Sequence, residues 1–398
     1  MLTGLDRLDD PDHYLTLARS LADGRGFALE GRPTAYRPPL YPLILAPLVG
    51  TLDRRWLPFG VGGLHLALGA GTVILVGWTA RRWGLSTARG LAAAAIAAFD
   101  PVLVVQSRAV MTETPAAFLV AASLAALTVV GSLGAVLGGV GFGLASLCRP
   151  SLLPAALVVA AASLSFGPGA WKTRAIRAGL LMLATFATLS PWAWRNARIF
   201  GEPVWTTTHG GYTLALANNP VYYADVLDGP PGAVWSGPNQ ARWFAEVAVS
   251  TAGMTEPEAD RALRASALKL LRERPRDFLR ASVARVGRLW GLAPSGAVYP
   301  TWLRLGTAAW TAPLWLALAV GLTARSTWRW PAASAPAILL ALTLVHVAYW
   351  TDLRMRAPIV PAVALIASGA RLSRSKDAGR DDRERLSSWI KNSDHLGV

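Results

Sequence analysis

Hydrophobic residues come in long runs along this chain rather than in the alternating patterns of a soluble domain. From Pro58 onward, Ala/Leu/Val/Gly stretches recur at lengths approaching the roughly 20 apolar residues of a membrane helix. Nine candidates follow one another: Pro58–Ala80, Ala88–Val105, Thr112–Val130, Ser132–Cys148, Ser151–Phe166, Ile176–Trp194, Trp302–Thr323, Ser334–Trp350 and Pro358–Ala370. Ahead of them, Leu40–Leu52 is apolar but short and carries Pro42 and Pro47, which predicts an interfacial or re-entrant helix. Earlier still, Tyr14, Leu17, Ala18 and Leu21 recur at i, i+3, i+4 and i+7, one apolar helical face. Asp10 then falls at the N-cap and Pro11 at the first helical position, with Gly24 and Gly26 closing the helix.

Basic residues give the runs a direction. Arg81, Arg82 and Arg89 fall in one loop, Lys172, Arg174 and Arg177 in another, Arg325 and Arg329 in a third, and Arg371, Arg374 and Lys376 open the tail. If the nine spans alternate, all four segments share one side, which the positive-inside rule makes cytoplasmic. Ser86 and Ser375 are then cytoplasmic, and Gly211 and Ser295 external. The external side receives residues 1–57, the Gln106–Met111 loop, Arg149, the segment Arg195–Thr301 and the Thr351–Arg356 loop. The expected organisation is an external acidic loop with interfacial helices (1–57), a first part of the bundle (58–194), an external segment (195–301), the last part of the bundle (302–371) and a basic cytoplasmic tail (372–398). Residues 1–57 have no span to carry them outside, so either a short N-terminal tail is translocated or a further span lies upstream, and the second is expected because polar tails of this length rarely cross unaided.

The external segment is too long for a simple connection. It holds Gly210-Gly211-Tyr212, Asn218-Asn219-Pro220 and a Pro/Gly-rich run over Gly229–Gly237. Glu256–Trp290 is helical in pattern, with Leu279, Val283, Val286 and Trp290 on one stripe opposite Arg276, Arg280, Arg285 and Arg288. A basic amphipathic helix of this kind lies on the membrane surface or covers the bundle.

Composition agrees with an all-α polytopic membrane protein. The chain is 53% hydrophobic and 16% charged, against about 25% charged for soluble domains. Its net charge of +15 sits largely between the hydrophobic runs, so it speaks for topology and not for a nucleic-acid partner. The single cysteine, Cys148, excludes an intramolecular disulfide and a cysteine-cluster zinc site.

Ionisable groups beside or within spans are costly and mark function. The external side gathers Asp10 with Asp9 and Asp12, Glu113 at the start of a span, Arg149, and Asp352-Leu353-Arg354-Met355-Arg356, with His65 and His346 near the external ends of their helices. Carboxylates facing arginines across an external cavity suit a transfer reaction, one acid acting as base while arginine holds a departing phosphate. Each group also has a plainer reading. Asp10 and Glu113 can cap helices, and Arg149 or Arg356 can bind lipid head groups.

Five stretches, in order, resemble the polyprenyl-phosphate-sugar-dependent membrane glycosyltransferases of the C-type (GT-C) superfamily, which includes protein O-mannosyltransferases and lipid A aminoarabinose transferases. They are DPDHYLTLARSLADGRGF with RPTAYRPPLYPLILA; SRAVMTETPAAFL; PWAWRNARIFGEPVWTTTHGGYTLALANNP; LKLLRERPRDFLRASVARVGRLW; and DLRMRAPIVPAVALIA. The resemblance implies a GT-C helical bundle and inverting sugar transfer from a polyprenyl-phosphate donor to a protein, lipid or glycan hydroxyl at the external face of the inner (cell) membrane. It implies Asp10, four residues before Tyr14, as the base, and Glu113 as the second acid, positioning the acceptor or helping to hold a divalent metal. Arg354 and Arg356 would hold the donor phosphate, with Arg149 a third candidate. Tyr14, Arg37, Tyr41 and His346 would position the acceptor or the loop, Arg37 reaching Asp10 or the donor. A transporter or lipid flippase, or an inactive homologue, remains the alternative on sequence. A transporter would show mid-membrane charges, inverted repeats and broken helices.

Overall fold

The computed structural model describes residues 10, 12–229, 235–296 and 299–369. Asp9, Pro11, the centre of the Gly229–Gly237 run, and the tail with Arg371, Arg374, Ser375 and Lys376 lie outside the described residues. A short helix α1 (Tyr14–Ala22) is followed by a two-residue antiparallel pairing of Ala28–Leu29 with Arg32–Pro33, then α2 (Leu40–Thr51). Next come α3 (Leu57–Arg82), α4 (Thr87–Phe99), α5 (Pro101–Gln106), α6 (Glu113–Ala126), α7 (Ser132–Cys148), α8 (Leu153–Phe166) and α9 (Trp171–Phe200). The segment beyond carries α10 (Gly210–Ala217), α11 (Pro220–Tyr222), α12 (Pro238–Ser250), α13 (Glu256–Glu273) and α14 (Pro275–Leu289). The chain returns to the bundle with α15 (Thr301–Thr323), α16 (Ser334–Ala348) and α17 (Val360–Gly369).

Among the described residues three helices are long and apolar enough to cross a membrane: α3, α9 and α15. α2, α4, α6, α7, α8 and α16 are shorter apolar helices. The candidate over Ala88–Val105 is split. Pro101 has no N–H and its ring blocks continuation of the helix before it. Asp100 restarts the chain as α5 by accepting the Val102 and Leu103 N–H groups at 3.0 and 3.1 Å. The last candidate is the 10-residue α17, about 15 Å long, or half a bilayer core. Val360–Ser368 is buried throughout, so this helix forms the middle of the bundle, against α3, α4, α6, α15 and α16.

Small residues permit the closest crossing. A Cβ on Gly139 of α7 would lie 2.3 Å from the Leu181 carbonyl oxygen of α9, and one on Gly143 would lie 2.5 Å from Thr188 Cβ. Spacing of four puts both glycines on one helix face and lets the backbones meet. Thr185 Oγ1 then reaches the Gly139 carbonyl at 3.0 Å.

The expected helix over Glu256–Trp290 breaks at Pro275 into α13 and α14, and single positions of α14 depart from the division into an apolar stripe and a basic face. Leu279 and Val283 are 63% and 75% exposed, whereas Arg285 is fully buried. The cause is hydrogen bonding at helix ends. Arg285 donates from Nη1 to the Ala217 carbonyl (2.8 Å) and from Nε and Nη2 to the Val347 carbonyl (3.0 and 2.7 Å). These are terminal carbonyls of α10 and α16 that lack intrahelical partners. α14 therefore covers the bundle through Arg285 together with the half-buried Val286 and Trp290, and leaves Leu279 and Val283 outward with Arg276 and Arg280.

Candidate active site

The first acidic loop is held by groups distant in sequence. Arg195, in the Pro191-Trp192-Ala193-Trp194-Arg195-Asn196 run, donates to the Thr34 and Phe27 carbonyls at 2.7 and 2.8 Å, its guanidinium 4.8 Å from the Trp192 ring centre. Glu256 accepts from the Ala35 N–H (2.8 Å) and from Thr208 Oγ1 (2.9 Å). These bonds fix the turn that presents Tyr36 and Arg37. Sequence reasoning saw the PWAWRN run only as part of a resemblance; here it is a clamp on the loop.

Asp10 caps α1, but from further back than expected. His13 occupies the N-cap in a left-handed conformation (φ 61°). The Asp10 carboxylate reaches forward to the N–H groups of Tyr14 (2.7 Å) and Leu15 (2.9 Å). Burial pushes this carboxyl above its usual range, while the two backbone donors act the other way. Asp12 is the first-loop acid that lines the cavity, paired with Arg37 Nη2 at 2.7 Å. Arg37 thus meets Asp12 rather than Asp10.

The cavity has a volume of about 660 Å³. Its walls come from the start of α1 (Asp12, Tyr14), the Tyr36–Pro38 turn, the start of α6, the end of α7, the segment Thr206–Thr213, and the end of α16 with Arg354 and Met355. At its floor lies Glu113, with a side chain 1% exposed. Arg149 Nη1 stands 3.1 Å and Arg354 Nη1 3.8 Å from the same Glu113 oxygen. Arg354 also pairs with Asp352 at 3.2 Å. Capping residues commonly start helices, but Glu113 is turned to the arginines and its oxygens make no hydrogen bond.

Three residues that the sequence reading did not assign to the site also line the cavity: Arg264, His209 and Tyr212. His209 sits between the rings of Tyr36 (4.3 Å between centres) and Tyr212 (5.0 Å). Burial, with the Arg37 charge nearby, pushes its imidazole down to about 3. The neighbouring Gly210-Gly211 pair was the available signal. A Cβ at Gly211 would lie 1.9 Å from the Asp260 carbonyl oxygen, so glycine lets α10 press onto α13.

Two expected site residues lie elsewhere. Tyr41 donates its hydroxyl to His65 Nε2 (2.7 Å), whose Nδ1 meets the Ser107 carbonyl (2.9 Å). Arg356, 2% exposed, donates to the Gly291 carbonyl (2.7 Å) and Thr311 Oγ1 (3.2 Å) beside the Trp315 ring. Both are committed to packing. His346 and Tyr14 do line the cavity. Among the described residues no three His, Cys, Asp or Glu side chains converge as a metal centre, and the arginines already occupy the Glu113 carboxylate.

Comparison with known proteins bears out the resemblance. Residues 58–201 match the family described as dolichyl-phosphate-mannose-protein mannosyltransferase, a stretch that includes Glu113, Arg149 and the PWAWRN run. Among solved structures, the archaeal oligosaccharyltransferase AglB from Archaeoglobus fulgidus, in complex with an inhibitory peptide and a dolichol-phosphate, is 12% identical with a TM-score of 0.48. The alignment covers 97% of this chain and 48% of that one, so this chain spans about half the length of that protein. ArnT from Cupriavidus metallidurans, bound to undecaprenyl phosphate, is 14% identical over 92% of this chain and 74% of that one, with a TM-score of 0.40. No curated protein matches the chain.

Proposed function

We propose that this protein is an inverting glycosyltransferase of the cell membrane that moves a sugar from a polyprenyl-phosphate donor to an acceptor hydroxyl at the external face. The observation that carries this reading is the buried Glu113 beside Arg149 and Arg354 at the floor of a cavity, in a stretch matching the mannosyltransferase family. The acceptor oxygen attacks the anomeric carbon as the bond from that carbon to the phosphate oxygen breaks. The acceptor proton passes to the first-loop acid that faces the cavity, Asp12, while Asp10 holds the start of α1 in place. The departing polyprenyl phosphate takes up the bonding electrons, and Arg354 and Arg149 offset its charge.

Purified protein in nanodiscs, given polyprenyl-phosphate mannose or a polyprenyl-phosphate pentose with envelope extract, should release polyprenyl phosphate and label an envelope component. Glu113→Gln should abolish this. Absence of release with both donors, together with envelope glycans unchanged on removal of the protein, overturns the reading.

A further inference from the structure

His346 carries an acceptor with no partner inside the protein. Its ring is 3% exposed, on α16, and it lines the cavity described above. Nδ1 faces the Trp350 carbonyl at 3.2 Å and Thr351 Oγ1 at 2.9 Å. A carbonyl can only accept. The Thr351 hydroxyl hydrogen is directed to the Tyr349 carbonyl, also at 2.9 Å, which leaves its oxygen to accept from the ring. Both neighbours therefore call for a proton on Nδ1, and the neutral ring presents a bare lone pair at Nε2. Nε2 has no hydrogen-bond partner.

His65 provides the internal contrast. Its Nδ1 is fixed in the same way by the Ser107 carbonyl, but its Nε2 receives the Tyr41 hydroxyl. The same cavity contains a second ring nitrogen without a hydrogen-bond partner, His209 Nδ1, and the Glu113 carboxylate, which Arg149 and Arg354 hold by charge. A buried acceptor left unpaired is costly. The bare Nε2 of His346 and a second unpartnered ring nitrogen in one cavity, alongside arginines that supply only donors, describe a site completed by a molecule that carries hydroxyl groups.

We infer that His346 Nε2 accepts a hydrogen bond from a ring hydroxyl of the donor's sugar, making it a specificity-determining residue for a hydroxyl-bearing sugar. This rests on the proposed transfer reaction and adds which atom reads the sugar. Thr351 is the positioning residue that holds the tautomer.

The test compares binding of bare polyprenyl phosphate with binding of polyprenyl-phosphate mannose, followed by transfer from mono-deoxy mannose donors. Wild type should bind the sugar-bearing lipid more tightly than the bare one and should lose about 10- to 100-fold in kcat/KM with one deoxy donor, the effect of leaving one buried acceptor unpaired. His346→Phe should keep the affinity for bare polyprenyl phosphate, lose the preference for the sugar-bearing lipid, and treat the deoxy and parent donors alike. His346→Gln, with a carbonyl that can accept, should recover part of the preference, and Thr351→Val should lose part of it. If His346→Phe binds bare lipid normally and discriminates among deoxy donors as wild type does, the assignment is overturned while the transferase reading stands. Wild type that binds both lipids equally overturns the assignment as well. If neither lipid binds wild type, the transferase reading fails with it.

Discussion

Arg149 Nη1 lies 3.1 Å from Glu113 Oε1, with the two side chains 12% and 1% exposed. Arg354, 35% exposed, shares that oxygen at 3.8 Å. A buried carboxylate needs a counter-charge, and Arg149 supplies it from the end of α7. The more accessible Arg354 can then turn to an incoming phosphate without leaving Glu113 unpaired. Glu113→Gln should therefore abolish transfer while bare polyprenyl phosphate binds as tightly as before or more tightly, because its guanidinium partners lose a competitor. Arg149→Ala should destabilise the protein by about 3–5 kcal/mol, the usual effect of stranding one member of a buried pair. Lipid-binding titrations and detergent unfolding curves check both. Weaker lipid phosphate binding in Glu113→Gln would contradict the scheme.

The two first-loop acids separate by their neighbours. Asp10→Ala removes a cap worth about 1 kcal/mol, and Asp10→Asn should cost less than that. Both should keep most transfer activity. Asp12→Asn should reduce transfer by about 10²–10⁴-fold, the range of general-base contributions, with the donor still bound. The reverse ranking would return the base role to Asp10.

Arg354 and Arg356 should fail differently. Arg354→Lys keeps charge but gives up the planar fork that suits phosphate, so donor affinity should fall, and fall further in Arg354→Gln. Arg356→Gln frees the Gly291 carbonyl and Thr311, which should lower the unfolding midpoint and leave donor affinity unchanged. Wild-type donor dependence in Arg354→Lys removes that residue from the phosphate site.

His209 sets a pH dependence. Its folded value of about 3 lies below the ordinary 6.5, so the folded state resists taking the proton that the unfolded chain accepts. Stability is fully present above about 6.5 and is lost as pH falls toward 3, by at most about 1.4 kcal/mol per pH unit. His209→Gln should unfold with a flatter profile between pH 6.5 and 4. An unchanged slope in that variant would show that the imidazole does not titrate this way.

Sidedness can be read with single cysteines in a Cys148→Ser background. Gly211 is unsuited to labelling, since any side chain there meets the Asp260 backbone. The exposed Ser250 and Ser86 serve instead. Ser250→Cys should react with an impermeant thiol reagent from outside intact cells, and Ser86→Cys only after permeabilisation. External labelling of Ser86→Cys would invert the arrangement.

The hydrophobic runs alone determined a helical membrane bundle, most of its helix boundaries, and the end at which acids and arginines gather, because these follow from local periodicity and charge. Which of two nearby residues enters the cavity was decided only by tertiary structure. Arg354 and Arg356 lie on one 3-10 turn, Leu353–Ile359, where positions two apart point about 120° from each other. One faces Glu113 and the other Gly291, partners 241 and 65 positions away in sequence by residue number. Asp10 and Asp12 divide in the same manner, as the chain turns at His13. For α14 the apolar stripe and the arginines opposite it were legible, but the burial of Arg285 was not. Two helix-terminal carbonyls, brought together from α10 and α16, draw Arg285 inward, and no local pattern encodes where those carbonyls will be.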